Sequence, residues 1–218
     1  MNIVNELVAR ISDSHVERSS PYFVAICGWA DTGKSTLAAQ LCDELNFKEI
    51  DADWMSTDAF LKNRAERNRL GISGYNPQSV DATEISHAVG RLIKHETYNY
   101  HPYDNRTGSK ISSSRTIFPK SIVIIEGIHA FHEALWKLCH LRVFIESDEE
   151  TLRVMRKRAN MEKRAMNECD ASTLIDRELQ EYRKYLLPNK VLANISMTVS
   201  SNFDYSIQII HKVEPTNI

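Results

Sequence analysis

Residues 28–36 read G-W-A-D-T-G-K-S-T, and the apolar run Y-F-V-A-I-C precedes them at residues 22–27. The pattern G-x-x-x-x-G-K-[ST] is typical of a phosphate-binding loop, in which two glycines let successive backbone N–H groups turn onto phosphate oxygens. In such a loop Lys34 reaches the β- and γ-phosphates, and Ser35 offers its hydroxyl to Mg²⁺. The stretch therefore predicts that the chain binds a nucleoside triphosphate.

The flanking residues favour a true phosphate loop over a chance match of the pattern. The run before the loop predicts a buried strand, and Leu37, Leu41 and Leu45 recur at helical spacing after it. A helix that begins at the loop adds its N-terminal dipole to the anion site. The predicted nucleotide-binding residues are those of the loop: Gly28, Trp29, Ala30, Asp31, Thr32, Gly33, Lys34, Ser35 and Thr36.

Composition narrows the class of protein. The 218 residues are 42% hydrophobic and 26% charged, which suits one domain with a sizeable core. A net charge of −2 gives no overall basic field for nucleic acid. No apolar run reaches the roughly 18 residues of a membrane helix, no export signal is visible, and the four cysteines form no C-x-x-C pair. We expect a cytoplasmic protein with no nucleic-acid or membrane partner, and the sequence leaves a homo-oligomer open.

The order of apolar segments predicts a single domain over residues 1–218, with a three-layer α/β/α fold, a mostly parallel five-stranded sheet and a helical lid. A leading helix is expected within residues 1–20, where apolar residues recur on one face. A hairpin excursion is expected at residues 97–119, and the lid at residues 149–168. The five predicted strands lie at residues 22–27, 50–57, 121–127, 141–145 and 195–199.

Two carboxylates stand at the ends of predicted strands. Asp58 follows the second strand, and Glu126 ends the strand at residues 121–127. Open parallel sheets bind their ligands at this edge, and a phosphate-loop enzyme needs an acid there to hold Mg²⁺. A turn or N-cap role is the alternative for Asp58, whereas a structural Glu126 would need a buried basic partner. We predict Mg²⁺ at Ser35 and Glu126.

Several other polar segments each have two interpretations. Residues 63–76, rich in Arg, Asn and Gly, form a loop or short helix over the site, or a solvated charged face. Asp81 begins a capping-box pattern, so it is a helix cap or an acceptor ligand. The basic helix from residue 149 is a lid whose arginines neutralise phosphoryl charge, or a solvated helix. His129 and His132 have no third metal ligand at a suitable spacing and are expected to be ordinary surface or packing histidines.

Taken in order, five stretches resemble the uridine kinase/phosphoribulokinase superfamily. They are the loop, S-T-D-A-F-L at residues 56–61, Y-N-P-Q-S-V-D at 75–81, Y-H-P-Y-D-N-R-T-G at 100–108 and I-V-I-I-E-G-I-H-A-F at 122–131. The resemblance runs from about residue 22 to residue 199. It implies an ATP-dependent kinase that phosphorylates a hydroxyl of a small polar metabolite, with ATP and Mg²⁺ as cofactors. Some stretches are similar to pantothenate kinase, and the hairpin to the phosphoribulokinase branch.

The resemblance also implies roles for individual residues. Asp58 becomes the general base that takes the proton of the acceptor hydroxyl, and Glu126 joins Ser35 at Mg²⁺. Arg156 is the first candidate among lid arginines and Arg164 the second. The predicted catalytic residues are therefore Asp58, Lys34, Arg156 and Arg164, and the predicted acceptor-binding residues are Asp58, Phe60, Asp81, Tyr103 and Asp104.

Two residues separate the competing functions. Uridine kinases commonly carry a base-contacting His soon after the hairpin Tyr-Asp, where this chain has Gly108, so nucleoside-, pantothenate- and sugar-like acceptors all stay open. Asp31 puts a carboxylate into the anion cradle, where it repels phosphate unless it points away or pairs with a cation. These two residues are the best support for the alternative to a kinase, a nucleotide-binding regulatory protein that has lost turnover. A kinase acting on RNA is disfavoured by the net acidity and by the lack of an aromatic-basic stripe.

Overall fold

The central sheet is built from the apolar runs that the sequence marks as strands. The computed structural model describes residues 2–15 and 20–210. Its helices are α1 (Ile3–His15), α2 (Lys34–Phe47), α3 (Arg64–Arg69), α4 (Ala82–Ile93), α5 (Glu149–Arg164) and α6 (Glu168–Glu181). Its strands are β1 (Tyr22–Gly28), β2 (Ala52–Ser56), β3 (Tyr98–Tyr100), β4 (Tyr103–Asp104), β5 (Ser109–Lys110), β6 (Arg115–Ile117), β7 (Ile122–Glu126), β8 (Leu141–Glu146), β9 (Ile195–Val199) and β10 (Tyr205–Ile210).

The sheet has the strand order β10-β9-β8-β1-β7-β2. The five strands from β9 to β2 are parallel, which confirms the predicted α/β fold with a mostly parallel sheet. A sixth strand, β10, pairs antiparallel with β9 and was not among the five predicted strands. Its six residues, Y-S-I-Q-I-I, are too short a run to distinguish a strand from another element by pattern alone, and their place in the sheet comes from pairing with β9.

Two apolar layers cover the two faces of the sheet. Successive side chains of β1 point to opposite faces: Val24 packs in the cluster that contains Leu41 of α2, and Ala25 in the cluster that contains Val89 of α4. Leu7 of α1 is fully buried in the same cluster as Leu41. Residues 1 and 16–19 of the predicted leading segment lie outside the described residues. Among the described helices, none has the length and apolar character needed to cross a membrane.

The register of the parallel strands brings three chain segments to one edge of the sheet. Glu126 of β7 is paired with Ile26 of β1 on one side and with Ser56 of β2 on the other. The phosphate loop follows β1 and Asp58 lies two residues after Ser56, so both leave the sheet beside Glu126. The parallel pairing therefore creates a crevice at the carboxyl ends of the strands, where ligands of open α/β sheets bind.

Residues 97–119 form two small antiparallel ladders outside the main sheet. β3 pairs with β6, and β4 pairs with β5. The guanidinium of Arg115 lies 4.7 Å from the ring centre of Trp54, and the carboxylate of Asp53 accepts a hydrogen bond of 3.0 Å from the backbone N–H of Phe118. These contacts fix the excursion to β2. The turn between β4 and β5 lies at the crevice, where Asn105 contacts Asp58.

Candidate active site

The phosphate loop joins β1 to α2 with a backbone that only small residues permit. Gly28 and Gly33 have φ values of 149° and 83°, and a Cβ on Gly28 would collide with the carbonyl oxygen of Ile145. The first hydrogen bond of α2 runs from the N–H of Leu37 to the carbonyl of Gly33, at 2.9 Å. The N–H groups of residues 34–36 precede that bond, and α2 has no side-chain cap, so these donors are available to an anion.

Lys34 is held inside the loop. Its Nζ donates a hydrogen bond to the carbonyl oxygen of Trp29, and the hydroxyl of Thr32 donates to the same oxygen at 2.8 Å. The residue is only 6% exposed. Burial lowers the pKa of Lys34, and the nearby charge of Glu126 opposes that shift. Lys34 is therefore a buried amine whose positive charge depends on the anions around it.

Ser35 and Glu126 bring two oxygen ligands together. The Ser35 hydroxyl donates to Oε1 of Glu126 at 3.0 Å, and Glu126 is 2% exposed. Burial raises the pKa of Glu126, and the charge of Lys34 opposes the rise. No group of three or more His, Cys, Asp or Glu within residues 2–15 and 20–210 is arranged to hold a metal. A site with two protein oxygens fits Mg²⁺, which keeps water and phosphate oxygens as its remaining ligands.

Asp58 lies in a short 3₁₀ turn, Thr57–Phe60, directly after β2. Its Oδ2 accepts a hydrogen bond of 2.9 Å from the side-chain amide of Asn105, which lies in the turn between β4 and β5. The carboxylate is thereby held at the crevice. Sequence reasoning missed Asn105, although it stands in the Tyr-Asp-Asn-Arg stretch of the predicted hairpin.

Asp31 is neutralised by arginines. Arg156 of α5 forms an ion pair with Asp31, and Nη1 of Arg164 lies 3.5 Å from the same carboxylate. Arg156 also bonds Glu178 of α6 through Nε, at 2.6 Å. Burial alone would lower the pKa of Arg156, but the bonds to Glu178 and the charge of Asp31 raise it. The carboxylate in the loop is therefore paired with cations and does not stand as an unopposed charge against phosphate.

The side chain of Trp29, predicted to bind nucleotide, lies in the core instead. It is fully buried and stacks on Tyr182, with ring centres 5.0 Å apart. Burial of a large aromatic ring and its stacking on a second ring both stabilise this position of the indole. Its backbone carbonyl, which accepts from Lys34, is the part of the residue that contributes to the loop.

Two of the predicted acceptor-binding side chains also lie away from the cleft. Phe60 is 1% exposed and stacks with Tyr98 at 6.5 Å, because the 3₁₀ turn directs this ring into the core. Asp81 is the N-cap of α4, and its carboxylate accepts the N–H of Glu84 at 3.0 Å. The structure therefore favours the helix-cap interpretation of Asp81.

The predicted hairpin residues are close to the cleft. Tyr103 accepts a hydrogen bond of 2.7 Å from Arg67 of α3. Asp104 lines the cleft, and a hydrogen bond from the N–H of Arg106 lowers the pKa of its carboxylate. Arg67 was not predicted as a site residue, although its segment, residues 63–76, was noted as an arginine-rich loop or short helix over the site.

The cleft has a volume of about 790 Å³, within the range of small-molecule sites. It is lined by Ser35 and Thr36 of the phosphate loop and also by Asp58, Arg67 and Asn105. The phosphate loop, the Ser35–Glu126 pair and Asp58 thus lie in one cleft, which is the arrangement of a P-loop nucleotide-binding protein.

Comparison with known proteins gives the family. The model of the Phosphoribulokinase / Uridine kinase family matches residues 23–206, and the chain belongs to that family. It is thus a P-loop kinase-family protein, as the ordered stretches of the sequence predicted.

Individual relatives are distant. A uridine kinase from Alkaliphilus metalliredigens is 24% identical over 87% of this chain and 92% of its own length. Uridine kinase-like protein 3 of Arabidopsis thaliana is 23% identical over 89% of this chain, which spans only 42% of that longer protein. Among solved structures, D-glycerate 3-kinase from Cryptococcus neoformans has a TM-score of 0.68 and 14% identity, covering 94% of this chain and 96% of its own. These likenesses establish the fold, and the relatives' names give different acceptors.

His129 is expected to make stability depend on pH. It is 5% exposed, and its Nε2 lies 2.7 Å from the carbonyl oxygen of Gly74. Burial lowers its pKa to about 4. The unfolded chain takes up a proton below about pH 6.5, but the folded protein does not until about pH 4, so protonation favours unfolding in that interval. The contribution of His129 to the free energy of unfolding should fall by up to about 3 kcal/mol as pH drops from 6.5 to 4, and stay constant above pH 6.5.

The contribution of His129 is measured by urea unfolding at several pH values from 7.5 to 4.5. The wild type is compared with His129→Gln. Gln keeps a donor for the Gly74 carbonyl but cannot take up a proton, so the stability difference between the two proteins should change across the interval. His101→Gln, at an exposed histidine, is the matched control and should retain the pH dependence of the wild type. Parallel stability curves for wild type and His129→Gln would contradict the assignment.

Proposed function

We propose that this protein is an ATP-dependent kinase that transfers the γ-phosphate of ATP to a hydroxyl of a small polar metabolite. The observation that carries the proposal is the position of the Asp58 carboxylate: it lines the same cleft as the phosphate loop and the Ser35–Glu126 pair. Phosphoryl transfer depends mainly on positioning and electrostatics, and these groups supply both.

Each residue has a task that its geometry supports. The loop amides and Lys34 would bind the β- and γ-phosphates, and Ser35 and Glu126 would hold Mg²⁺, which neutralises phosphate charge when bound. Asp58 would orient the acceptor hydroxyl and take its proton on a carboxylate oxygen, with Asn105 fixing the orientation of that carboxylate. A hydroxyl oxygen freed of its proton is the nucleophile that the transfer needs.

The two lid arginines, Arg156 and Arg164, differ in the number of carboxylates that each contacts. Arg156 is bound by two carboxylates, those of Asp31 and Glu178. Arg164 has a single, longer contact to Asp31, at 3.5 Å, together with a hydrogen bond to Asn160. We therefore propose Arg164 as the arginine that contacts the transferring phosphoryl group, with Arg156 holding the loop carboxylate. The pairing of Asp31 also removes a main argument for a protein that has lost turnover.

The test is an acceptor screen. Purified protein is incubated with ATP, Mg²⁺ and a panel of nucleosides, pantothenate, sugar phosphates and glycerate, and ADP release is followed. We expect at least one acceptor to stimulate ADP release, and Asp58→Asn to abolish the stimulation. Asp43→Asn, at an exposed position of α2, is the matched control and should behave as wild type. Tight ATP binding without stimulation by any acceptor would favour a regulatory protein instead.

A further inference from the structure

Arg67 leads us to propose that the acceptor carries an anionic group, a carboxylate or a phosphate, and that Arg67 binds it. The inference rests on the proposed kinase function, and it names the chemical class of the acceptor. The reason is that Arg67 is a buried cation in the same cleft as Asp58, and no carboxylate among the described residues forms an ion pair with it.

The contacts of Arg67 are few for a residue so deeply placed. It is 9% exposed and lines the cleft. Its Nη2 donates to the hydroxyl of Tyr103 at 2.7 Å, and its Cζ lies 5.8 Å from the centre of that ring. Its Nε is buried without a hydrogen-bond partner. Throughout the described part of the chain, no Asp or Glu forms an ion pair with it.

Arg156 is a second buried arginine, and unlike Arg67 it is paired with carboxylates. It is 6% exposed, similar to Arg67, but it is enclosed by the carboxylates of Asp31 and Glu178. Removing a guanidinium from water is costly unless its charge is paired and its N–H groups are bonded. The single hydroxyl of Tyr103 does not meet that requirement for Arg67. An anionic ligand in the cleft would pair the charge and accept bonds from the remaining N–H groups.

The titratable groups around Arg67 do not replace that ligand. His129 lies close enough for both Arg67 and Asp58 to act on it, but burial lowers its pKa to about 4, so it is neutral at pH 7. The carboxylate of Asp58 is engaged by Asn105. Arg67 bonds Tyr103 and Asp58 is bonded by Asn105, so both side chains contact the segment at residues 103–105, as an acceptor held by both requires.

The chain is shaped to hold this guanidinium in place. A Cβ on Gly74 would collide with Nη1 of Arg67, so the absence of a side chain at residue 74 makes the space that the guanidinium occupies. Beside it, Arg64 covers Gly108, where an added Cβ would lie 2.8 Å from its Nε. Arg64 also donates to the carbonyl oxygens of Asn105 and Arg106, which holds the turn that carries Asn105. The acceptor end is thus a pre-formed pocket with a fixed cation.

Matched pairs of acceptors test the charge requirement. Glycerate is compared with glyceramide, and ribulose 5-phosphate with ribulose, with uridine as an unrelated neutral acceptor. Binding is measured by calorimetry with the phosphate loop saturated by Mg²⁺ and a non-hydrolysable ATP analogue, so that the anions do not bind there. We expect the charged member of at least one pair to bind at least about 10-fold more tightly than its neutral partner. Tighter binding of glycerate than of glyceramide would identify the group as a carboxylate. Tighter binding of ribulose 5-phosphate than of ribulose would identify it as a phosphate.

Variants at residue 67 locate the effect. Arg67→Gln should raise KM for the charged acceptor about 10- to 100-fold, change kcat less, and leave any binding of the neutral partner as it was. Arg67→Lys should recover part of the loss, since it restores the charge without the planar fork. Arg69→Gln, at an exposed position of the same helix, is the control and should behave as wild type.

The outcomes separate this inference from the kinase proposal. ADP release that is stimulated by uridine or another neutral acceptor, and unchanged in Arg67→Gln, would leave the kinase standing and overturn the anionic acceptor. Binding of an anion that is lost in Arg67→Gln, without ADP release from ATP, would support the anion site and count against the kinase. If none of the anions binds the wild type, the inference fails.

Discussion

Asp58→Asn is expected to lower kcat by about 10²- to 10⁴-fold, the range for loss of a general base. Asn has nearly the same shape as Asp and can still hydrogen-bond the amide of Asn105, so the turn that carries it should stay in place. What the variant loses is the ability to take a proton from the acceptor hydroxyl. ATP binding should change little, because the hydrogen bond that this carboxylate accepts comes from Asn105 and not from the phosphate loop.

The measurement is acceptor-dependent ADP release, with nucleotide affinity determined in parallel. A variant that binds ATP as the wild type does, but fails to respond to the acceptor, would locate the defect in the chemical step. Retention of more than about a tenth of the wild-type kcat would show that Asp58 only positions the acceptor, because a lost base costs more than that.

Lys34→Met is expected to lower kcat by at least about 10²-fold, the scale of one electrostatic group aimed at developing charge. Met keeps most of the length of the side chain but removes the ammonium that would neutralise the phosphates. The variant should also be less stable, because the charge of Lys34 opposes the rise in the pKa of buried Glu126. Without that charge the Glu126 carboxylate is more costly to keep ionised.

A double variant separates these two effects. In Lys34→Met/Glu126→Gln the buried carboxylate is gone together with its cation, so stability should return toward that of the wild type in thermal unfolding. Activity should stay low, since both the phosphate contact and a metal ligand are missing. If the double variant regained activity along with stability, Lys34 would act through the fold and not through the phosphates.

Short-range patterns were sufficient for the framework of this protein. The apolar runs predicted the inner strands β1 and β7 because a strand buried on both faces is continuously apolar, a property visible in a few residues. The phosphate loop was visible for the same reason, since its glycines, Lys34 and Ser35 are adjacent in sequence. Once strands are parallel, their carboxyl ends meet at one edge, so the proximity of Glu126 to the loop also followed from the sequence.

The details of the cleft required the tertiary structure, because they join residues far apart in the chain. Asn105 and Asp58 are separated by 47 residues, and Arg156 and Asp31 by 125. No local pattern distinguishes an arginine that pairs with Asp31 from one that faces water, or shows that Arg67 is buried without a carboxylate. The sequence by itself determined the family, the sheet and the phosphate loop. Which side chains share the cleft, and which of them lack a partner, was decided by the packing of segments that the sequence keeps apart.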